Sequence, residues 1–231
     1  MASLVGRRDF SPHGSRSQMM QLPPPNRPTP SSPWTVMYLV SPPLPRGVSA
    51  VQFNITSHDQ GWCDNPSNGL WSWFDVSILG SEREDEVPTF SDLSDPSYLK
   101  PKPEDYSQVL QDRGLHFKDI PKGNPAKLGI AKRVTANKIH RSWQQQVITW
   151  RLEDGGEEAS FLSLLEEGDR LVIWARTQFP GWVNCVKKVE IMISVDETTQ
   201  AVQVPVRSAL TLPGNTSDSD TFHEETVNGG P

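Results

Sequence analysis

Three stretches of this chain alternate apolar and polar residues at every second position. Val51, Phe53 and Ile55 oppose Gln52, Asn54 and Thr56. Phe74, Val76 and Ile78 share a face opposite Trp71, Trp73, Asp75 and Ser77. Val189, Ile191, Ile193 and Val195 form a third row. A period of two is the repeat of a half-buried β-strand, because successive side chains point to opposite faces of a sheet. Residues 34–40, 147–150 and 171–175 add β-branched and aromatic runs of strand length. Residues 201–206 read as an edge strand, since Pro205 cannot donate to a central ladder. Helical signals are confined to a short helix near residues 104–112 and a turn over residues 161–167 ending at Gly168. Many short strands without a long helical period predict an all-β chain, a β-sandwich or jelly-roll-like single domain.

Composition decides where that domain lies. Of 231 residues only 35% are apolar and 21 are proline, so part of the chain lacks the means to bury a core. Residues 1–33 are rich in proline and serine and carry Arg7, Arg8, Arg16 and Arg27 against Asp9, which predicts a disordered basic tail. Residues 81–124 hold charge clusters and five prolines and read as a long acidic surface insertion. Residues 207–231 are expected to be a disordered acidic tail. The single β domain then comprises residues 34–80 and 125–206.

The net charge of −6 leaves the predicted core near neutral, with no basic stripe of the kind that binds nucleic acid. No apolar run reaches bilayer length, and the N-terminus has no signal-type apolar segment. An intracellular, cytoplasmic chain with no membrane contact is expected, the nucleus being left open, with Cys63 and Cys185 reduced. The five histidines are scattered, without metal-ligand spacing, and no phosphate-binding glycine loop occurs. No metal, cofactor or catalytic residue is expected.

Two tryptophan loops stand out, Asp59-Gln60-Gly61-Trp62 and Phe179-Pro180-Gly181-Trp182. Together with residues 55–58, Trp71-Ser72-Trp73-Phe74, Ile148-Thr149-Trp150, residues 168–176 and Val183-Asn184, they resemble a tryptophan-rich module of filamentous-fungal proteins that is often found beside ankyrin repeats. The resemblance spans residues 34–195, interrupted by residues 81–124. It implies fold and lineage and brings no activity with it. No ankyrin repeat accompanies the module here.

The candidate binding residues are Asp59, Gln60, Trp62, Trp71, Trp73, Arg176, Trp182 and Asn184. Each has a structural reading beside a functional one. Asp59 caps a turn that Gly61 completes with positive φ, or else Asp59 and Gln60 hydrogen-bond a sugar or peptide stacked on Trp62. Pro180 and Gly181 suit a type II turn flanked by aromatics. Trp71 and Trp73 are an exposed platform if their face of the sheet is open, and core if it is covered. Arg176 packs beside an aromatic and pairs with Asp75 or Asp169, or clamps an anion. His58 and Asp59 point to opposite faces and make no dyad. A thiol nucleophile at Cys63 or Cys185 competes with plain burial of both thiols.

These features predict a non-catalytic interaction module with a protein or peptide partner. A lectin-like carbohydrate binder using the tryptophan loops is the alternative, and a hydrolase with a tryptophan-lined cleft around Asp59 or Asp75 ranks third. The discriminating question is whether the two loops share one end of the sandwich.

Overall fold

The alternating rows become strands of two facing antiparallel sheets. A computed structural model describes residues 10–17, 20–22, 34–63, 70–81, 100–122, 124–179 and 182–196. The chain divides into Met1–Ala201 and Val202–Pro231, and every described residue belongs to the first unit. The first sheet runs in the order β1 (Ser11–Arg16), β12 (Asn184–Val195), β4 (Val48–His58), β10 (Gln144–Arg151), with β2 (Met20–Leu22) also on β12. The second runs β3 (Trp34–Val40), β11 (Arg170–Thr177), β5 (Ser72–Ser81), β6 (Leu115–Phe117), with β9 (Lys132–Ala136) also on β5. A small ribbon of β7 (Ile120–Lys122) and β8 (Asn124–Gly129) completes the strands. From β3 to β5, and again from β9 to β12, consecutive strands cross between the two sheets. Core contacts are therefore distant in sequence.

The apolar rows meet between the sheets. Val51, Phe53, Ile55, Val189, Ile191 and Ile193 face Phe74, Val76, Ile78, Leu171 and Ile173 in one buried cluster. Trp150 closes one side, edge-on to Phe53 and to Phe161. Phe161 belongs to α2 (Gly156–Leu162), which starts earlier than the turn expected at residues 161–167. Each such buried side chain contributes about 1.5–3 kcal/mol.

Two expectations from composition fail. Residues 11–16 and 20–22, placed in a disordered tail, form strands on β12. Residues 11–16 carry no apolar alternation, because what this strand supplies is backbone pairing to an otherwise open edge. Arg16 anchors them, with its guanidinium 4.9 Å from the Tyr38 ring centre and a 2.7 Å hydrogen bond to the Tyr38 carbonyl. Likewise residues 100–122, expected in a surface insertion, cover the outer face of the second sheet. Pro103–Tyr106 forms a 3-10 turn that leads into the expected short helix, α1 (Ser107–Gln111). Tyr106, Leu110 and Leu115 join Met37, Leu79, Val172 and Trp174 in a second buried cluster. Charge clusters in the sequence conceal the three apolar residues that do this. The predicted strand over residues 201–206, the turn at Pro180 and Gly181, and the acidic tail over residues 207–231 lie outside the described residues.

Candidate functional site: a tryptophan-rich end of the sandwich

The two tryptophan loops lie at the same end of the sandwich. His58 ends β4 opposite Cys185 near the start of β12, so both loops leave the first sheet side by side. Gln60 joins them directly: its amide nitrogen donates to the Trp62 carbonyl at 2.9 Å, and its oxygen accepts the Val183 N–H at 3.2 Å. The second sheet delivers its strand ends here as well. Trp34 and Ser72 both pair with Thr177, and the Gln178 N–H donates to the Trp71 carbonyl.

A third loop, residues 137–143, completes the end. Asp59 accepts the Gly61 N–H at 2.7 Å and the His140 N–H at 3.0 Å on one carboxylate oxygen. This is the turn cap read from the sequence, with a second contact 81 residues along the chain. Gly61 has φ +80°, and a Cβ there would lie 2.9 Å from the Arg141 backbone nitrogen and 2.0 Å from its Cγ. Glycine is thus required both by conformation and by the close approach of the third loop.

Beneath the loops sits a buried polar network. The Asn184 amide donates to the carbonyls of Trp73 at 3.1 Å and Arg176 at 3.2 Å, tying β12 of the first sheet to the second. Its oxygen accepts from Asn137 at 2.9 Å. Asn137 also accepts from Ser57 at 2.6 Å and donates to Ser72 at 3.1 Å, linking both sheets again. A buried amide is tolerable only when its groups are satisfied, and here they are.

The predicted site residues therefore separate into two groups. Asp59 is 1% exposed and Asn184 0% exposed, and both are engaged internally. The sheets and Asn137 claim the Asn184 hydrogen bonds, whereas Asp59 gives one carboxylate oxygen to the loops and keeps its buried Oδ2 without a partner among the described residues. Trp73 is covered rather than an open platform: Arg133 and Arg176 stack against its ring at 4.5 and 5.0 Å. Asp75 accepts from the Trp73 ring N–H at 2.9 Å, from Arg133 at 2.8 Å and from Arg176 at 2.6 Å. Arg176 is thus the packed arginine of the structural reading, with one terminal nitrogen committed to Asp75. The group that remains accessible comprises Gln60, Trp62, Trp71 and Trp182. Trp62 is 52% exposed, and the other three are partly exposed.

Sequence reasoning left Trp143 and Trp34 out of the site, and named Phe179 only as an aromatic flanking the turn of its loop. Trp143 is 36% exposed and stands edge-on to His58 at 4.5 Å, with the Lys187 ammonium 5.9 Å from its ring centre. Phe179 packs at right angles on Trp71 at 4.7 Å. It is the one non-glycine residue with positive φ, 69°, among the described residues, a conformation that costs about 1–3 kcal/mol. Five of the eight tryptophans, Trp34, Trp62, Trp71, Trp143 and Trp182, gather at this end, while Trp73, Trp150 and Trp174 are buried. Only their number was visible in the sequence.

The Cys185 thiol gives little support to nucleophilic chemistry. Burial, reinforced by the negative charge of Asp59, pushes the Cys185 thiol up from its ordinary range, opposite to the activation a nucleophile needs. Among the described residues, no three His, Cys, Asp or Glu side chains are placed to hold a metal ion. Among the same residues, no helix is long and apolar enough to cross a membrane.

The fold and site together define a class: a two-sheet β-sandwich with an aromatic end built from three loops. Comparison with protein-family models, characterised proteins and solved structures finds no match.

Proposed function

We propose that this chain is a non-catalytic, intracellular interaction module that docks a protein or peptide partner on its tryptophan-rich end. The observation that carries the reading is the convergence of both tryptophan loops, joined through Gln60, with Trp62 and Trp143 left exposed beside them. Large aromatics held on rigid loops are the side chains that dominate binding hot spots, since they bury much area at little entropic cost. Asp75, one of the two carboxylates a hydrolase would use, commits both oxygens to Trp73, Arg133 and Arg176, and one oxygen of Asp59 is held by the Gly61 and His140 N–H groups, which supports a binding role over catalysis. Kinship with the fungal tryptophan-rich module belongs to the same proposal, as its two signatures meet at this end.

The test is quantitative affinity purification from a native extract with the wild-type chain and with Trp62→Ala/Trp143→Ala. Partners recovered by the wild type should be lost by the double variant at unchanged fold. An identical partner set for both proteins refutes the assignment of the site.

A lectin-like reading is favoured by one feature, the 52% exposed Trp62 side chain on a loop whose backbone the Gln60 amide holds. Exposed aromatic faces suit sugar rings. A glycan array with Trp62→Ala and Trp182→Ala controls separates the two readings: sugar binding that needs both residues supports the second, and binding that ignores them eliminates it.

A further inference from the structure

The exposed tryptophans of this end are set among cations. Lys138 and Arg141 stand on the third loop and Lys187 on β12, and all three residues are exposed. Among the described residues none of the three meets a carboxylate, whereas Lys118, Lys132, Arg133, Arg176 and Lys188 each pair with one. Residues 58–63, 70–73, 137–144, 176–179 and 182–188 bring a single acid to this end, Asp59. It is buried, with one oxygen held by the Gly61 and His140 N–H groups. Among the described residues, the positive charge of this end therefore has no surface acid beside it.

The cations and the tryptophans share one surface. Arg141 lies against Gly61, the residue before Trp62, so closely that a Cβ on Gly61 would meet the Arg141 Cγ at 2.0 Å. Two residues on, Trp143 stands edge-on to His58 at 4.5 Å, with the Lys187 ammonium 5.9 Å from its ring centre. That distance is at the outer limit, about 6 Å, of attraction between a cation and a ring, so the ammonium is free to turn to a stronger partner. Aromatic faces and cations thus alternate from Trp62 through Arg141 and Trp143 to Lys187. A ligand that fits them alternates in the same way, with apolar groups between carboxylates.

Resting on the docking reading above, we propose that the partner segment is an acidic peptide. Its aspartate or glutamate side chains pair with Lys138, Arg141 and Lys187, while its apolar side chains cover Trp62 and Trp143. The planar guanidinium of Arg141 offers a carboxylate two parallel hydrogen bonds. Exposed ion pairs add little affinity each, so their role is selection: an acidic segment is drawn in and a basic one repelled. A single strand of nucleic acid also combines stacking with cations. It carries charge at every nucleotide, however, and the cations of this patch, on a chain of net charge −6, neutralise only a short stretch of it. With charges screened beyond about 10 Å at 0.1 M salt, a short acidic peptide meets the patch and not the rest of the chain.

The test is selection of random phage-displayed peptides against the full chain, followed by titration of the recovered peptides by fluorescence anisotropy. Aspartate and glutamate beside aromatic or aliphatic residues should be enriched. Affinity should fall about ten- to a hundredfold in Lys138→Glu/Arg141→Glu/Lys187→Glu, since each exposed pair becomes a repulsion. The corresponding glutamine triple variant removes the charges without reversing them and should show a smaller loss in the same direction. Neutral or basic enriched peptides, or acidic peptides that bind both charge variants as tightly as wild type, overturn the proposal. If those peptides are still lost in Trp62→Ala/Trp143→Ala, the docking reading stands without it. Recovery of no peptide, or of peptides indifferent to the tryptophan pair as well, removes both. A thymidine oligonucleotide that binds more tightly than the selected peptides, and weakens in the same charge variants, also overturns the proposal and assigns the surface to nucleic acid.

Discussion

Asn184 separates the structural and functional readings of this end of the molecule. Its side chain makes three hydrogen bonds in full burial, two donated to Trp73 and Arg176 of the second sheet and one accepted from Asn137. Each such bond is worth about 0.5–1.5 kcal/mol net, and buried groups left without partners add about 1–3 kcal/mol. Asn184→Ala should therefore destabilise the fold by about 3 kcal/mol. Asn184→Asp preserves the volume but replaces two donors with a carboxylate oxygen facing two carbonyls, so it should cost more than alanine. Urea unfolding followed by tryptophan fluorescence measures both. With a slope of about 2 kcal/mol per molar for a domain of this size, the midpoint of the alanine variant falls by about 1.5 M. Trp62→Ala, at an exposed position, should stay within about 0.5 kcal/mol of wild type. If Asn184→Ala matched Trp62→Ala in stability, the amide would not be the tie between the sheets, and its place among ligand-binding residues would reopen.

The Asp75 cluster and Tyr38 give two further tests. Asp75→Asn should destabilise by about 3 kcal/mol, because it strands Arg176, whose side chain is 14% exposed. Arg133→Ala, removing a 51% exposed partner, should cost about 1 kcal/mol or less. Equal costs in the same unfolding assay would contradict the burial argument. Burial lifts the Tyr38 hydroxyl from 10.0 to about 12, against a smaller opposing pull from Arg16. The folded state therefore holds this proton more tightly than the unfolded chain. Its contribution to stability is intact below pH 10 and is lost as pH climbs through 12. Ultraviolet absorbance titration should show a late-ionising tyrosine that disappears in Tyr38→Phe; ionisation at the ordinary pH would refute the buried position.

The sequence by itself determined the fold class, because period-two rows such as Val51, Phe53 and Ile55 admit only one half-buried geometry. It determined the Asp59–Gly61 turn for the same reason, since a side-chain cap and a positive φ are local chemistry. Arg176 with Asp75 was also legible, as one of two named pairings, because a charged residue beside aromatics needs a counter-charge. Tertiary structure decided everything that depends on which strands become neighbours. Residues 11–16 became a strand because β12 offered an edge, and no property of their own sequence announces it. Tyr106, Leu110 and Leu115 became core because the face of the second sheet needed covering. Asn184, expected from the sequence to face a ligand, and Asn137, unremarkable in sequence, became the ties between sheets once crossovers brought residues 57, 72, 137 and 184 together. The tryptophan surplus was countable from the start. Its meaning as one aromatic end depended on contacts such as Gln60 with Val183, 123 residues apart, because hydrogen bonds of that range are fixed by topology and not by local preference.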